Sequence, residues 1–180
     1  LISLDVETGE IKAMVGGKDF NKSKWNRSTQ MRRQPGSSFK AFLYTAAIDN
    51  GYPVTTTLLN QPVVIKLGTN DSTDWRPKNY DLSMGGETTM REGIRRSLNL
   101  IAVRTIQELI APAAVVEKAR AMGITTRLYP GDALALGASG VFPIEMAAAY
   151  AVYPRLGIWI QPLGILSVQD RFGGVLRNYS

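Results

Sequence analysis

A chain of 180 residues, 44% hydrophobic and 20% charged, is long enough for one domain with its own core and too short to suggest several. It has no cysteine and no histidine, which excludes disulfides, thiolate metal sites, the commonest zinc ligand and every catalytic arrangement built on an imidazole. The net charge of +6 is dispersed along the chain, so a solvated basic surface accounts for it, and no motif points to nucleic acid as a partner. No apolar run in these residues reaches membrane-spanning length, and none reads as a signal peptide. The first residues already read as a strand and no initiator Met is present, so the chain is expected to be a piece of a longer protein.

Ile2, Leu4 and Val6 alternate with polar residues, and after Thr8-Gly9 the alternation resumes at Ile11, Ala13 and Val15. Period-two patterning around a glycine turn predicts a hairpin over residues 1–15, closed by Gly16-Gly17. Residues 18–34 are polar and basic and predict a connection. A helix is expected over Ser37–Asp49, apolar nearly all round and therefore central to the core, with Asn50-Gly51 as its C-cap and Pro53 beyond. Residues 54–87 read mainly as loop, with a short strand at Pro62–Lys66. Thr89 and Glu92 fit a capping box that opens a short helix ending near Ser97-Leu98-Asn99. A second helix follows with Val103, Ile106, Leu109 and Ile110 on one face. A third spans residues 112–122 with Val115, Val116, Ala119 and Met122 inward and Gly123 as terminator. Pro143 opens a further helix through Val152. Trp159–Val168 reads as strand, Phe172-Gly173-Gly174 as turn, and Val175-Leu176 as the start of a return strand. Strands at both ends around a helical middle predict an α+β layout in which the terminal strands share a sheet.

Chemistry concentrates at Arg33-Gln34-Pro35-Gly36-Ser37-Ser38-Phe39-Lys40. A Pro-Gly turn delivers Ser37 to the start of the apolar helix, and Lys40 follows on the same face one turn later. That pairing suits an acyl-transfer nucleophile and its proton acceptor, at the positive end of a helix dipole. Taken alone, the spacing is common by chance, and a serine N-cap with a snorkelling lysine would also account for it. Burial changes the balance, because a lysine inside an apolar helix is costly unless it is paired or neutralised. With no histidine in the chain, Lys40 is the obvious base for a nucleophilic serine.

Arg33 through Lys40 resembles the active-site signature of the class A penicillin-binding proteins, the murein transpeptidases. The resemblance extends to Leu4–Gly17, which is similar to the strand pair ahead of that signature, to Asn26-Arg27, and to Asn79-Tyr80-Asp81 followed by Gly85-Gly86. It continues through Met90–Arg96 into Ser97-Leu98-Asn99, which resembles the second family motif, and through Leu136–Gly157. It implies that Ser37 is the nucleophile, Lys40 the base, Ser97 a proton relay to the leaving amine, and Asn99 a ligand of Lys40 or of the substrate amide. The Ser37 N–H would be half of the oxyanion hole. Two departures stand out: Ala41 follows Lys40 where the family commonly has Pro, and the third motif, Lys-Thr-Gly, is absent from the sequence.

The implied fold is a partial transpeptidase-like α+β domain, an antiparallel sheet with a helical lobe, lacking the strand of the third motif. Residues 1–17 would form the sheet hairpin, 37–153 the helical lobe and 158–180 the return to the sheet. The implied function is peptidoglycan D,D-transpeptidation through a serine acyl-enzyme inhibited by β-lactams, without metal or cofactor. The implied partners are D-Ala-D-Ala stem peptides, amine acceptors, β-lactam antibiotics and the remainder of the domain, which a separate chain could supply. The implied place is the extracytoplasmic face of the bacterial membrane. A D,D-carboxypeptidase or serine β-lactamase of the same superfamily, and a non-catalytic β-lactam sensor or inactive fragment, remain open alternatives. Trp75, Tyr80 and Trp159 are candidates for a substrate groove, with packing an equal explanation. Asp71, Asp74 and Glu92 are read as caps and surface charge rather than a carboxylate pair.

Overall fold

A computed structural model describes residues 1–66 and 74–179. The expected mixture of helices and antiparallel strands is borne out. The residues group into two compact units, one of 1–33, 119–127 and 140–180, the other of 34–118 and 128–139.

In the first unit, β1 (Ile2–Leu4) and β2 (Ile11–Met14) form the predicted hairpin, with Ile2 opposite Met14 and Leu4 opposite Ile11. The Asp5 carboxylate tightens its turn by accepting the Glu7 and Thr8 N–H groups, each at 2.9 Å. α1 (Arg27–Gln30) is a single turn capped by Asn26. α6 (Pro143–Ala151) opens on proline as expected. The buried Glu145 carboxylate accepts the Phe142 N–H at its N-terminus, and also the N–H and hydroxyl groups of Thr125 and Thr126. β5 (Ser167–Gln169) and β6 (Val175–Asn178) pair across the expected turn.

The strand expected over Trp159–Val168 is reduced to β5 and one parallel bridge between Glu10 and Leu163. Pro162 beside Leu163 has no N–H to donate, so the ladder stops after the Ile11 N–H to Leu163 carbonyl and Leu163 N–H to Gly9 carbonyl bonds. The terminal segments therefore meet at a single bridge rather than in a continuous sheet, and the ordered strands form separate two-stranded ladders.

The second unit is built on α2 (Lys40–Asp49), in which Phe42, Leu43, Ala46 and Ala47 are fully buried. The reading of Pro62–Lys66 as a strand fails: only Ile65 bridges, to Trp75. The strand here is β3 (Thr57–Leu59), inside the stretch 54–87 read mainly as loop, and it pairs with β4 (Glu87–Thr89), which lies where that loop was expected to end and the helix cap at Thr89 to begin. Three residues per strand are too few to show a period.

Thr89 caps α3 (Met90–Arg95) by accepting the Glu92 N–H. The reciprocal half of the capping box is absent, since the Glu92 carboxylate binds Arg95 instead. After Ser97, α4 (Asn99–Arg104) runs into a π-turn over Thr105–Leu109, where the Ile110 N–H reaches the Thr105 carbonyl. The Thr105 hydroxyl donates to the Ile101 carbonyl, a side-chain bond that loosens the helical ladder at this point. α5 (Pro112–Ala121) buries Val115, Val116 and Ala119 as its pattern predicts, with Met122 buried just beyond its end. Among the described residues no single helix is long and apolar enough to cross a membrane.

Candidate active site

The site begins at a turn. Gly36 sits at φ +59°, a backbone region open to glycine, and Gly36–Phe39 form one 3₁₀ turn before α2 starts at Lys40. The sequence reading ran a regular α-helix from Ser37. The difference arises because the Lys40 N–H bonds to the Ser37 carbonyl, three residues back. The tighter turn leaves the Ser37 side chain exposed while Phe39 and Lys40 are buried. Gly137, at φ +70°, lies so close behind it that a Cβ there would be 2.3 Å from the Gly36 carbonyl oxygen. The Gln34 side chain donates to the Ala138 carbonyl at 3.0 Å, fixing the same junction.

Lys40 is only 2% exposed. Its ammonium donates three hydrogen bonds: to the Ser97 carbonyl at 2.7 Å, to Asn99 Oδ1 at 2.7 Å and to Ser97 Oγ at 3.1 Å. Three donors meet three acceptors, and none of the acceptors carries charge. Burial pushes the amine down from its ordinary 10.5 to about 8. Ser97 can offer both of its oxygens because it sits at φ +54° between α3 and α4. Asn99 is the first residue of α4, and its Nδ2 donates to the Lys78 carbonyl at 2.8 Å, which turns Oδ1 toward Lys40.

Lys40, Ser97 and Asn99 are thus in direct contact, and Ser37 stands in the 3₁₀ turn immediately ahead of α2. Among the described residues the Ser37 hydroxyl forms no hydrogen bond, so the nucleophile candidate is exposed and unengaged, three residues before the lysine whose ammonium is saturated.

The other candidates fall elsewhere. Glu92 pairs with Arg95 at 2.6 Å at the surface, as expected, whereas the Asp74 side chain is nearly buried and pairs at 3.6 Å with the exposed Arg76, so Asp74 is not the surface charge the sequence suggests. Asp71 lies outside the described residues. Tyr80 is fully exposed, and the Trp75 backbone is bridged to Ile65. Trp159 lies against Gly123. Sequence reasoning missed the part played by Lys78 and Asn79 in holding Asn99. No local pattern marks it, because the contacts join positions 21 residues apart.

The penicillin-binding protein transpeptidase domain family matches residues 1–171. The chain belongs to that family. Penicillin-binding protein 1A of Pseudomonas aeruginosa is 37% identical over 176 residues, and that of Escherichia coli 34% over 176 residues. Each alignment takes in 98% of this chain and 21% of the relative, so the chain spans about a fifth of the length of these curated relatives. The solved structure of penicillin-binding protein 1A from Haemophilus influenzae superimposes with a TM-score of 0.90 at 37% identity, over 99% of this chain and 26% of that one. The PonA1 protein of Mycobacterium tuberculosis in complex with penicillin V gives a TM-score of 0.85 at 25% identity, over 98% of this chain and 48% of that one. The transpeptidase domain resemblance drawn from the motifs, including its class A character, is therefore borne out.

Proposed function

We propose that this chain carries the serine-lysine half of a peptidoglycan D,D-transpeptidase, and that Ser37, Lys40, Ser97 and Asn99 are its working residues. The observation that carries the reading is the buried Lys40 amine, held by Ser97 and Asn99 one turn after an exposed serine.

In its neutral form the amine has two N–H groups and a lone pair, so one of its three acceptors is released. The longest bond, to Ser97 Oγ, is the one to give way. The lone pair then takes the Ser37 proton as Ser37 Oγ attacks the carbonyl carbon of the penultimate D-Ala. The first-turn N–H of Ser37 supports the oxygen that gains charge. On collapse the C–N bond breaks. Ser97 Oγ protonates the departing D-Ala nitrogen and is replenished from the Lys40 ammonium. An acceptor amine next attacks the ester and gives its proton to Lys40, which hands it to Ser37 Oγ as the ester C–O bond breaks and the serine leaves as the hydroxyl. A β-lactam follows the first half of this path, but its leaving nitrogen stays tethered to the acyl group.

No Lys-Thr-Gly occurs in the sequence, so these residues assign neither a lysine for the substrate carboxylate nor a second oxyanion donor. The partners are stem peptides and β-lactams, and the working location is the extracytoplasmic side of the membrane.

The test is labelling of the intact protein with a fluorescent penicillin and mapping of the adduct by mass spectrometry. The adduct is expected on Ser37 and lost in Ser37→Ala. Labelling that persists in Ser37→Ala, or an adduct elsewhere, overturns the assignment.

A further inference from the structure

The helix that presents Asn99 has no cap of its own. The N-cap residue of α4 is Leu98, whose side chain can accept nothing. The missing acceptor comes from a loop 21 residues earlier, where Asn79 Oδ1 accepts the Leu100 N–H at 3.1 Å. Its neighbour Lys78 accepts from Asn99 Nδ2 through its carbonyl. Two consecutive loop residues therefore grip two consecutive residues at the start of α4.

The loop has no helix or strand to hold it, and Asn79 supplies the restraint. It is buried, and its Nδ2 donates at 2.8 Å to Asn60 Oδ1 and at 2.8 Å to the Ser83 carbonyl. Asn60 is buried too, and is anchored by backbone bonds to Gly85 and Gly86 beside the β3–β4 ladder. Both Asn79 N–H donors and its carbonyl oxygen are thus engaged. The donor side faces two acceptors and the acceptor side faces a donor, so only an amide in this one orientation fits.

We propose that Asn79 is a positioning residue for the acid–base work of Lys40. It locks the start of α4 and the Lys78 carbonyl together, and so fixes where Asn99 Oδ1 meets the lysine. The proposal rests on the transpeptidase reading above. The chain of contact runs Asn60, Asn79, Leu100 with Lys78, Asn99, Lys40. Asn79 touches neither Ser37 nor Lys40 in this chain of bonds, so its effect must pass through Asn99.

The network predicts an asymmetry between two isosteric changes. Asn79→Asp keeps the acceptor toward Leu100 but turns a carboxylate oxygen onto two acceptors, Asn60 Oδ1 and the Ser83 carbonyl. Asn60→Asp keeps the acceptor that Asn79 uses. Both add one buried carboxylate in the same cluster. The experiment measures the second-order acylation constant of a fluorescent penicillin against pH in the intact protein, with circular dichroism to establish that each variant is folded. In folded Asn79→Asp, acylation is expected to fall about tenfold or more, the order lost when a catalytic group is misplaced. The midpoint of its acid limb is expected to move away from the wild-type value, because the acceptors around the Lys40 ammonium have shifted. Asn60→Asp should stay within about threefold of wild type with its midpoint unchanged.

Equal losses in both variants would assign the effect to a buried charge alone and overturn the proposal. So would an Asn79→Asp protein with the wild-type rate and midpoint. If Asn79→Asp does not fold, Asn79→Ala is measured instead, and unfolding of both overturns the proposal because Asn79 would then hold the fold rather than the site. Failure of the wild-type protein to label at Ser37 is a different result, and refutes the transpeptidase reading itself.

Discussion

Under the proposed function, the burial of Lys40 makes the rate of Ser37 acylation a titration curve. With its pKa near 8 rather than the ordinary 10.5, about a tenth of the lysine is neutral at pH 7, half at pH 8 and nine-tenths at pH 9. An unshifted lysine would be neutral in only about three molecules in ten thousand at pH 7, so the shift supplies a few-hundredfold more free base. The same shift is on the order of 3 kcal/mol of destabilisation of the ammonium, at about 1.4 kcal/mol per pKa unit. The assay is the second-order acylation constant of a labelled penicillin from pH 6 to 10, which reports ionisations of the free enzyme. It should rise about tenfold between pH 7 and a plateau above pH 9. A companion measurement checks the sign through stability. Because the folded value lies below the unfolded one, the unfolded chain binds more protons between about pH 8 and 10.5, and the Lys40 contribution to stability rises with pH across that window. Replacing Lys40 by Met should remove that rise from the denaturant-derived stability curve. A flat acylation profile, or a midpoint near 10.5, would refute the reasoning.

Asn99→Asp should place a carboxylate where Asn99 Oδ1 now accepts from Lys40; an opposite charge favours the ammonium, so the acylation midpoint should move up by about one unit or more and the rate at pH 7 should fall about tenfold. Gly137→Ala should cost about 1–3 kcal/mol in a urea melt, because it combines a left-handed φ with a Cβ 2.3 Å from the Gly36 oxygen, and acylation should fall as the Ser37 turn shifts. Glu145→Gln should lower stability at pH 7 by about 1–3 kcal/mol, since an amide cannot accept all of the bonds from Thr125, Thr126 and Phe142. Burial pushes the Glu145 carboxyl up, but those bonds outweigh it and hold the group below its ordinary 4.5. Its stabilisation is therefore present above pH 4.5 and lost as the pH falls through the lowered value, and an acid melt of Glu145→Gln should lack that step.

What the sequence made legible was local. Ser37 and Lys40 lie three positions apart, and the apolar run around them announced a buried helix. The start of that helix was misjudged because a 3₁₀ turn and an α-turn have the same residue pattern over four positions. β3 and β4 were missed because each is three residues long and their stability comes from pairing across 30 positions, which no local pattern records. Ser97 and Asn99 are 57 and 59 residues from Lys40, and nothing in composition or spacing joins them to it. Resemblance to a family named them, and folding brings them to the amine. The resemblance took in Asn79 as well but gave it no role: a buried amide reads as an ordinary loop asparagine until its three partners are in place.

The chemistry of the lysine follows from the neutral groups that hold it: among the described residues its hydrogen-bond acceptors are two carbonyl-type oxygens and a hydroxyl. A carboxylate beside Lys40 would offset the cost of burial but would hold the proton, and the amine would be a poor base at neutral pH. Bare apolar surroundings would leave a charge with no partner, at a cost the fold could not carry. Neutral acceptors lie between these limits. They satisfy every N–H of the ammonium, yet they lose little when the proton leaves, since dipoles discriminate less than a full charge does between the two forms. Ser97 is essential to this arrangement, because its carbonyl and its hydroxyl both turn to Lys40 from one residue. That requires the left-handed backbone at φ +54°, a conformation costing on the order of 1 kcal/mol for a residue with a Cβ. The flanking structure enforces it: the Ser97 N–H is tied to the Ile94 carbonyl, the Leu98 N–H to the Gly93 carbonyl, and the Leu98 side chain is buried. The strain therefore lies where the two oxygens are needed, and the buried leucine beside it keeps the turn from relaxing.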